Sequence, residues 1–224
     1  NLGGNIMSQD KDLQERFKYL VEKADNGDLE SMLVVADCYN KGLYTEKDDQ
    51  KSHMYYKKAA DKGHPKSTFM VAIDYLNGIG TAKNKKEGLK YLNLASSYGV
   101  ANAQYLLGSL YKAGQVSMFF KEANAMQHFE MAAKQGHEKA QIELANLICT
   151  SKSNKHSVDD MLFWLVCAYL HKDKNDPNVQ EDSEHAREII NGIIQAGLPG
   201  GLERVEKIID KVEKNYPEYL KNPS

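Results

Sequence analysis

The amino-acid sequence predicts an all-α fold, a right-handed superhelix (solenoid) of stacked antiparallel helix pairs. Glycines in similar settings recur about every 36 residues, a period typical of helical repeat arrays. These glycines are Gly27, Gly63, Gly99 and Gly136. The residue four positions after each glycine is small, namely Ser31, Ser67, Ala103 and Ala140. A tyrosine stands eight positions further on in three copies, Tyr39, Tyr75 and Tyr111, and Ile148 replaces it in the fourth.

Each repeat is predicted to contain two antiparallel helices. In the first copy, residues 31–40 carry apolar side chains at helical spacing and end near Gly42, which can adopt the left-handed conformation that closes a helix. Residues 50–62 form the second helix, which stops at Gly63. The second helices end in small pairs, Ala59-Ala60, Ala95-Ser96 and Ala132-Ala133. Small side chains let helices approach closely, and the pairs must stack because one pair cannot bury its apolar face alone.

The ends of such an array need capping helices. Residues 10–24 predict a lone N-terminal helix, with Phe17, Tyr19 and Leu20 facing the first repeat. Residues 183–196 and 202–215 predict two further helices after a polar loop at 173–182 that contains Pro177. The fourth copy is degenerate, since Tyr169 and Lys172 stand where Ala and Gly are expected. We therefore predict three parts: a tag remnant and disordered N-terminus at 1–8, the repeat array at 9–172 with about four repeats, and a helical capping segment at 173–224.

Composition argues against nucleic-acid binding and against a membrane span. The net charge of −2 over 224 residues provides no basic excess for the phosphates of a nucleic acid, and Lys83, Lys85 and Lys86 fit a solvated loop. No apolar run approaches the ~20 residues that a membrane span needs. If Met7 is the native start, the expected location is the cytoplasm; otherwise the protein is expected to be periplasmic or secreted, with a signal peptide removed.

The residues that could carry chemistry fit structural roles. Cys38, Cys149 and Cys167 show no metal-binding spacing and are expected to be small buried hydrophobes. His64 and His137 directly follow repeat glycines and are expected in turns, and His128 occupies the position of Tyr55 and Tyr91. Asp74 and Glu87 are expected on charged outer faces. His156 with Asp159 and Asp160 could bind a metal, but a helix cap explains them more simply. We predict no catalytic residue, metal or cofactor.

The repeat resembles a known family. Its motif is clearest from Ser31 to Gly42, followed by Asp48, Lys51-Ser52, Tyr55-Tyr56, Ala59-Ala60 and Gly63, and the second copy departs little from it. This pattern resembles the Sel-one-like repeat family, a branch of the tetratricopeptide-like α-solenoids, over roughly residues 10–172.

The resemblance implies a non-enzymatic scaffold or adaptor of bacterial type that binds a protein or peptide. The alternative is the family's cysteine-rich branch, which binds or hydrolyses penicillin-type compounds. That branch places a cysteine pair in every repeat, whereas the three cysteines here are unevenly spaced. The resemblance leaves the partner, the pathway and the oligomeric state undetermined.

The tetratricopeptide geometry would place the first helix of each repeat along a concave groove. The predicted groove residues are Leu33, Asp37, Asn40, Phe69, Ile73, Asn77, Tyr105, Ser109, Lys112, Ile142 and Asn146. They form an apolar strip flanked by amides and lysines, which suits a peptide held by apolar anchors. In the alternative, superhelical curvature buries these residues against the next repeat.

Overall fold

The computed structural model describes residues 2–151, 156–171 and 176–223, and these residues form helices and loops with no β-strand among them. The chain divides into two compact units, residues 1–99 and residues 100–224. In each unit, consecutive helices pack against one another. The predicted fold class, an all-α stack of helix pairs, is confirmed. In the described ranges, no helix combines the length and apolarity needed to cross a bilayer.

The first unit consists of five helices, each of which packs on the next. They are α1 (Leu2–Asp25), α2 (Leu29–Lys41), α3 (Asp49–Asp61), α4 (Pro65–Asn77) and α5 (Lys85–Ser97). Asp28, Asp48 and Asn84 cap α2, α3 and α5 by accepting a hydrogen bond from the backbone N–H three residues later. Gly42 ends α2 with φ 67°, and its N–H donates to the Cys38 carbonyl oxygen. The predicted left-handed glycine at this helix end is confirmed.

The second unit continues the same pattern and then departs from it. Helices α6 (Ala101–Lys112), α7 (Lys121–Ala133), α8 (Glu138–Thr150) and α9 (Val158–Tyr169) pack in sequence. Helices α10 (Pro177–Gln195) and α11 (Gly201–Asn215) then both pack on α9, and a short 3-10 turn, Pro217–Leu220, follows. The predicted boundary near residue 173 falls among residues 172–175, outside the described ranges. Lys172 falls there too.

Aromatic stacking repeats with the sequence period. In three repeats, a ring of the first helix lies nearly parallel to a ring of the second. The pairs are Tyr39–Tyr55 with ring centroids 6.1 Å apart, Tyr75–Tyr91 at 5.8 Å and Tyr111–His128 at 5.4 Å. His128 therefore packs as the tyrosines do, as predicted, and burial lowers its pKa.

The histidines that follow repeat glycines also have structural roles. His64 caps α4, and its Nδ1 accepts from the Ser67 N–H at 3.1 Å. His137 caps α8 in the same way, through the Ala140 N–H at 3.3 Å. The predicted turn positions are confirmed.

The structure extends two of the predicted helices. α1 begins at Leu2 and so includes most of segment 1–8, for which we expected disorder. α10 begins at Pro177 and not at residue 183, because Asp176 caps it and proline fits a first helical turn. Within α1, Phe17 is buried as predicted, but Tyr19 is 59% exposed, so it does not face the first repeat.

Two predicted environments are wrong. Asp74 is buried, not on an outer face, and its Oδ2 lies 2.8 Å from Nδ1 of buried His53. A buried carboxylate needs such a partner, and α3 supplies it. Cys149 is exposed because it lies in the last turn of α8, whereas Cys38 and Cys167 are buried as predicted. Burial raises the pKa of Cys167 to about 12, so its thiol stays protonated and unreactive.

The close packing of small residues can be tested at Gly108 in α6. A methyl group there would lie 2.7 Å from ring atoms of the fully buried Phe129. We expect Gly108→Ala to lower the free energy of unfolding of the second unit by ~1–3 kcal/mol. Gly192→Ala is the matched control, since Gly192 lies inside α10 with nothing within 4 Å. That control should raise stability by ~0.5–1 kcal/mol.

Urea unfolding followed by the fluorescence of Trp164, the chain's single tryptophan, reports on this unit. Equal stabilisation by the two alanines would contradict the close approach of α6 to α7.

Candidate functional site

In the first unit, the predicted groove residues lie on α2 and α4 and are mostly half-buried. Leu33, Asp37, Asn40, Phe69 and Ile73 are half-buried, and Asn77 is exposed. Asp37 accepts a hydrogen bond from the Tyr56 hydroxyl, so part of its bonding capacity is used within the fold. Val34 on α2 is 43% exposed and so more open than Leu33. It lies one position after that predicted groove residue.

In the second unit, the predicted groove residues are engaged in different ways. Tyr105 stacks on His137 at 4.6 Å, and the Ser109 hydroxyl donates to the Tyr105 carbonyl oxygen. Lys112 is exposed and forms a 2.5 Å ion pair with Glu143 of α8, while Asn146 is exposed. Ile142 is instead buried in the core, with 6% exposed, so it offers no open side chain to a partner. As a binding surface, the groove stays a prediction.

A large cleft, which sequence reasoning missed, lies elsewhere in the second unit. Its volume is about 1160 Å³, and α7, α8, α9, α11 and the C-terminal turn form its walls. Each helix contributes residues four positions apart, which places them along one side of the helix. These are Glu122, Met126 and Glu130 of α7 with Lys134 directly after it, Leu144 and Ile148 of α8, Asp159, Asp160, Phe163 and Trp164 of α9, and Lys207, Ile208 and Lys211 of α11.

Much of the charge around the cleft is already compensated within the unit. Lys134 pairs with Glu130 at 2.6 Å, and Asp159 pairs with Arg204 at 3.0 Å. Asp160 accepts from the backbone N–H of Ser157 in a capping box, and this bond lowers its pKa. Lys211 lies 5.5 Å from the centre of the Phe163 ring, a cation–π distance. The cleft therefore offers apolar and aromatic surface bordered by charge pairs.

The candidate metal ligands are used in the same way. The possible metal ligands were His156, Asp159 and Asp160. Of these, Asp160 caps α9 and Asp159 forms the ion pair with Arg204. Among the described residues, no group of three His, Cys, Asp or Glu side chains is placed to hold a metal ion.

The chain's own C-terminal segment forms one wall of the cleft. Tyr219 stacks on Trp164 with ring centroids 5.7 Å apart, and Leu220 is buried. The Gln141 side-chain amide donates to the Tyr219 carbonyl oxygen at 2.8 Å. Gly136, with φ 86°, lies so close to the Lys221 carbonyl that any Cβ at this position would overlap it. The wall is thus fixed by a ring stack, a backbone hydrogen bond and a close approach that requires glycine.

An exposed apolar loop borders the cleft. Met118, Phe119 and Phe120 are 73%, 79% and 81% exposed, the three most exposed large apolar side chains among the described residues. Met118 and Phe120 line the cleft, while Phe119 lies outside its lining. Phe120 has φ 51°, in the left-handed region that a bulky residue rarely adopts. We call residues 118–120 the apolar loop.

Two departures from the repeat motif in the sequence point to the cleft and the apolar loop. The first two repeats have no large apolar residue in the loop segments 45–48 and 81–84, whereas the third places Met-Phe-Phe at 118–120. The fourth copy also departs from the motif, with a longer polar insert at 151–157. Departures from a repeat consensus, more than the consensus itself, mark the cleft.

Comparison with known proteins agrees with the repeat architecture. A family model described as Sel1 repeat matches residues 29–64, 65–99 and 101–137. This chain carries three Sel1 repeats. The matches cover α2 to α7 and end before the degenerate fourth copy. Among curated protein sequences, no relative of significant similarity is found.

Two solved structures share the Sel1-repeat fold of this chain. One is a protective antigen of uropathogenic Escherichia coli displaying an SLR fold, with a TM-score of 0.65 and 18% identity; the match covers 91% of this chain and 42% of that one. The other is a Sel1 repeat protein from Oxalobacter formigenes, with a TM-score of 0.64 and 23% identity over 86% of this chain and 76% of that one. The chain thus spans less than half of the E. coli protein. At these identities the likeness concerns the fold alone.

The burial of His137 predicts a pH dependence of stability. Burial lowers the pKa of His137 from 6.5 to about 4, so the folded unit keeps this imidazole neutral where the unfolded chain protonates it. Because the unfolded state binds more protons between these values, stability falls as pH drops from about 6.5 towards 4. We expect His137 to account for a loss of ~2 kcal/mol between pH 7 and pH 5.

Urea unfolding of wild type and His137→Asn at both pH values checks this contribution. Asparagine keeps a helix cap without the titration. The wild type should lose more stability than the variant over this interval, and the same pH dependence in both proteins would rule out His137 as its source.

The C-terminal wall can be tested at Gly136. Gly136→Ala should release the segment after Tyr216 and speed trypsin cleavage after Lys221 by about tenfold or more, as expected when ~1.4 kcal/mol of docking is lost. Gly197→Ala is the matched control, because Gly197 also has a positive φ, 93°, but has nothing within 4 Å. Both variants carry similar backbone strain.

Mass spectrometry of limited digests separates the two variants. Equal cleavage rates after Lys221 would mean that the segment is not held at Gly136.

Proposed function

We propose that this chain is a non-enzymatic protein-interaction module that binds a protein or peptide at the cleft and apolar loop of its second unit. The observation that carries the proposal is the apolar loop, where three consecutive large apolar side chains stand in solvent beside an aromatic-lined cleft. Exposing such side chains is unfavourable for an isolated protein, and contiguous apolar surface of this kind marks interaction sites.

The composition of the cleft suits a polypeptide. Its walls combine aromatic rings with charge pairs at the border, the pattern of interfaces in which a few buried aromatic anchors carry most of the affinity. Its volume of about 1160 Å³ leaves room for several side chains of a partner. A protein segment with apolar anchors fits this space, and the Sel1-repeat family generally assembles proteins.

The small-molecule alternative has less support in this chain. The family branch that acts on penicillin-type compounds has a cysteine pair in every repeat. In this chain, by contrast, Cys38, Cys149 and Cys167 are all free thiols. The predicted groove on the first helices remains a second candidate surface for a protein partner.

Affinity capture from native lysate, quantified by mass spectrometry, tests the proposed surface. We expect Phe119→Ser to reduce a specifically captured protein at least tenfold, since loss of an aromatic anchor costs about 1.4 kcal/mol or more. The variant should keep wild-type stability, because its side chain is 79% exposed. Leu202→Ser is the matched control, an apolar residue 68% exposed in the same unit and outside the cleft.

Two further measurements distinguish the cleft from the predicted groove and from a small-molecule site. A folded Phe69→Ala/Tyr105→Ala variant that loses capture, while Phe119→Ser retains it, would move the site to the predicted groove. Stabilisation by a panel of β-lactams, without capture of any protein, would favour the small-molecule alternative.

A further inference from the structure

We propose that the partner at the cleft is a second copy of this chain, in a two-fold dimer where Phe119 of each protomer enters the cleft of the other. This inference rests on the proposed function and names the occupant of the same site. It follows from three features of the second unit: the arrangement of loop and cleft, the area that they offer, and the charges beside them.

The arrangement of the apolar loop suits a closed pair. Met118 and Phe120 line the cleft, and Phe119 between them stays outside its lining with 79% of its surface exposed. A projecting group and its receiving cleft therefore lie side by side on one surface. A two-fold axis beside them brings each Phe119 to the other cleft, which gives a self-complementary interface that closes at two copies.

The available area suits a weak dimer. A phenylalanine buries about 150–250 Å², so Phe119 contributes about that area when it enters the partner's cleft. Each protomer also covers a comparable area of the cleft that receives the partner's loop. The resulting ~300–500 Å² per protomer, or ~600–1,000 Å² in total, corresponds to a weak, concentration-dependent dimer.

The charges beside the loop are complementary across such an axis. Lys121 and Glu122 directly follow the apolar loop, both line the cleft and both are exposed. Neither forms an ion pair with a side chain in the described part of the chain, although neighbouring Lys134 and Asp159 do. In an isologous contact, Lys121 of each copy can pair with Glu122 of the other, which gives two symmetric ion pairs. The small net charge of −2 adds little repulsion.

Sedimentation velocity on the full chain from about 1 to 100 µM tests the dimer. We expect a mass twice the monomer's 25.2 kDa at the upper concentrations. Phe119→Ser should raise the dissociation constant at least tenfold, corresponding to loss of one anchor per protomer. Leu202→Ser, the control outside the cleft, should dimerise as the wild type does.

A charge exchange tests the two-fold geometry. Lys121→Glu and Glu122→Lys should each weaken the dimer because each places like charges across the axis, and the double variant should restore it. A wild type that stays monomeric at 100 µM overturns the inference, as does a dimer whose dissociation constant is unchanged by Phe119→Ser. If the wild type is monomeric but Phe119→Ser still abolishes capture of another protein, this inference fails and the proposed function stands.

Discussion

The packing of helices at alanine, serine and glycine is the constraint on which the rest of the structure depends. Small side chains recur at buried positions of the second helices, as at Ala59, Ala95 and Ala132, each of them fully buried. At Gly108 even a methyl group would meet the Phe129 ring. Because this spacing repeats within each unit, consecutive helices there pack together, and a helix pair too small to fold alone gains a core from its neighbours.

A repeat of this kind tolerates changes of chemistry as long as shape is kept. His128 stacks on Tyr111 as Tyr55 stacks on Tyr39, although the imidazole replaces a phenol. The buried pair of His53 and Asp74 shows a second form of tolerance, since two polar groups satisfy each other inside an apolar stack. The histidines at positions 53, 64, 128 and 137 therefore each have a structural partner within the array.

The candidate site arises where the repeat breaks down. The third copy carries an apolar loop where the first two have polar residues, and the fourth places Phe163 and Trp164 on the cleft wall. Helix α11 and the C-terminal turn then close the other side, with Tyr219 stacked on Trp164. Irregularity supplies both the space and the exposed side chains of the proposed binding site.

The sequence by itself determined the helix pairs, their period, the glycine helix ends and the packed roles of His64, His128 and His137. These features depend on local backbone preferences and on a periodic pattern, and both can be read from residues close together in the chain. Only the tertiary structure decided that Asp74 is buried beside His53, that Ile142 lies in the core and that Tyr219 returns to Trp164. Those outcomes join residues 21 to 78 positions apart, as His53–Asp74 and Gln141–Tyr219 do, and the repeat pattern does not encode such pairings. The cleft belongs to this second class, because its walls come from helices that only folding brings together.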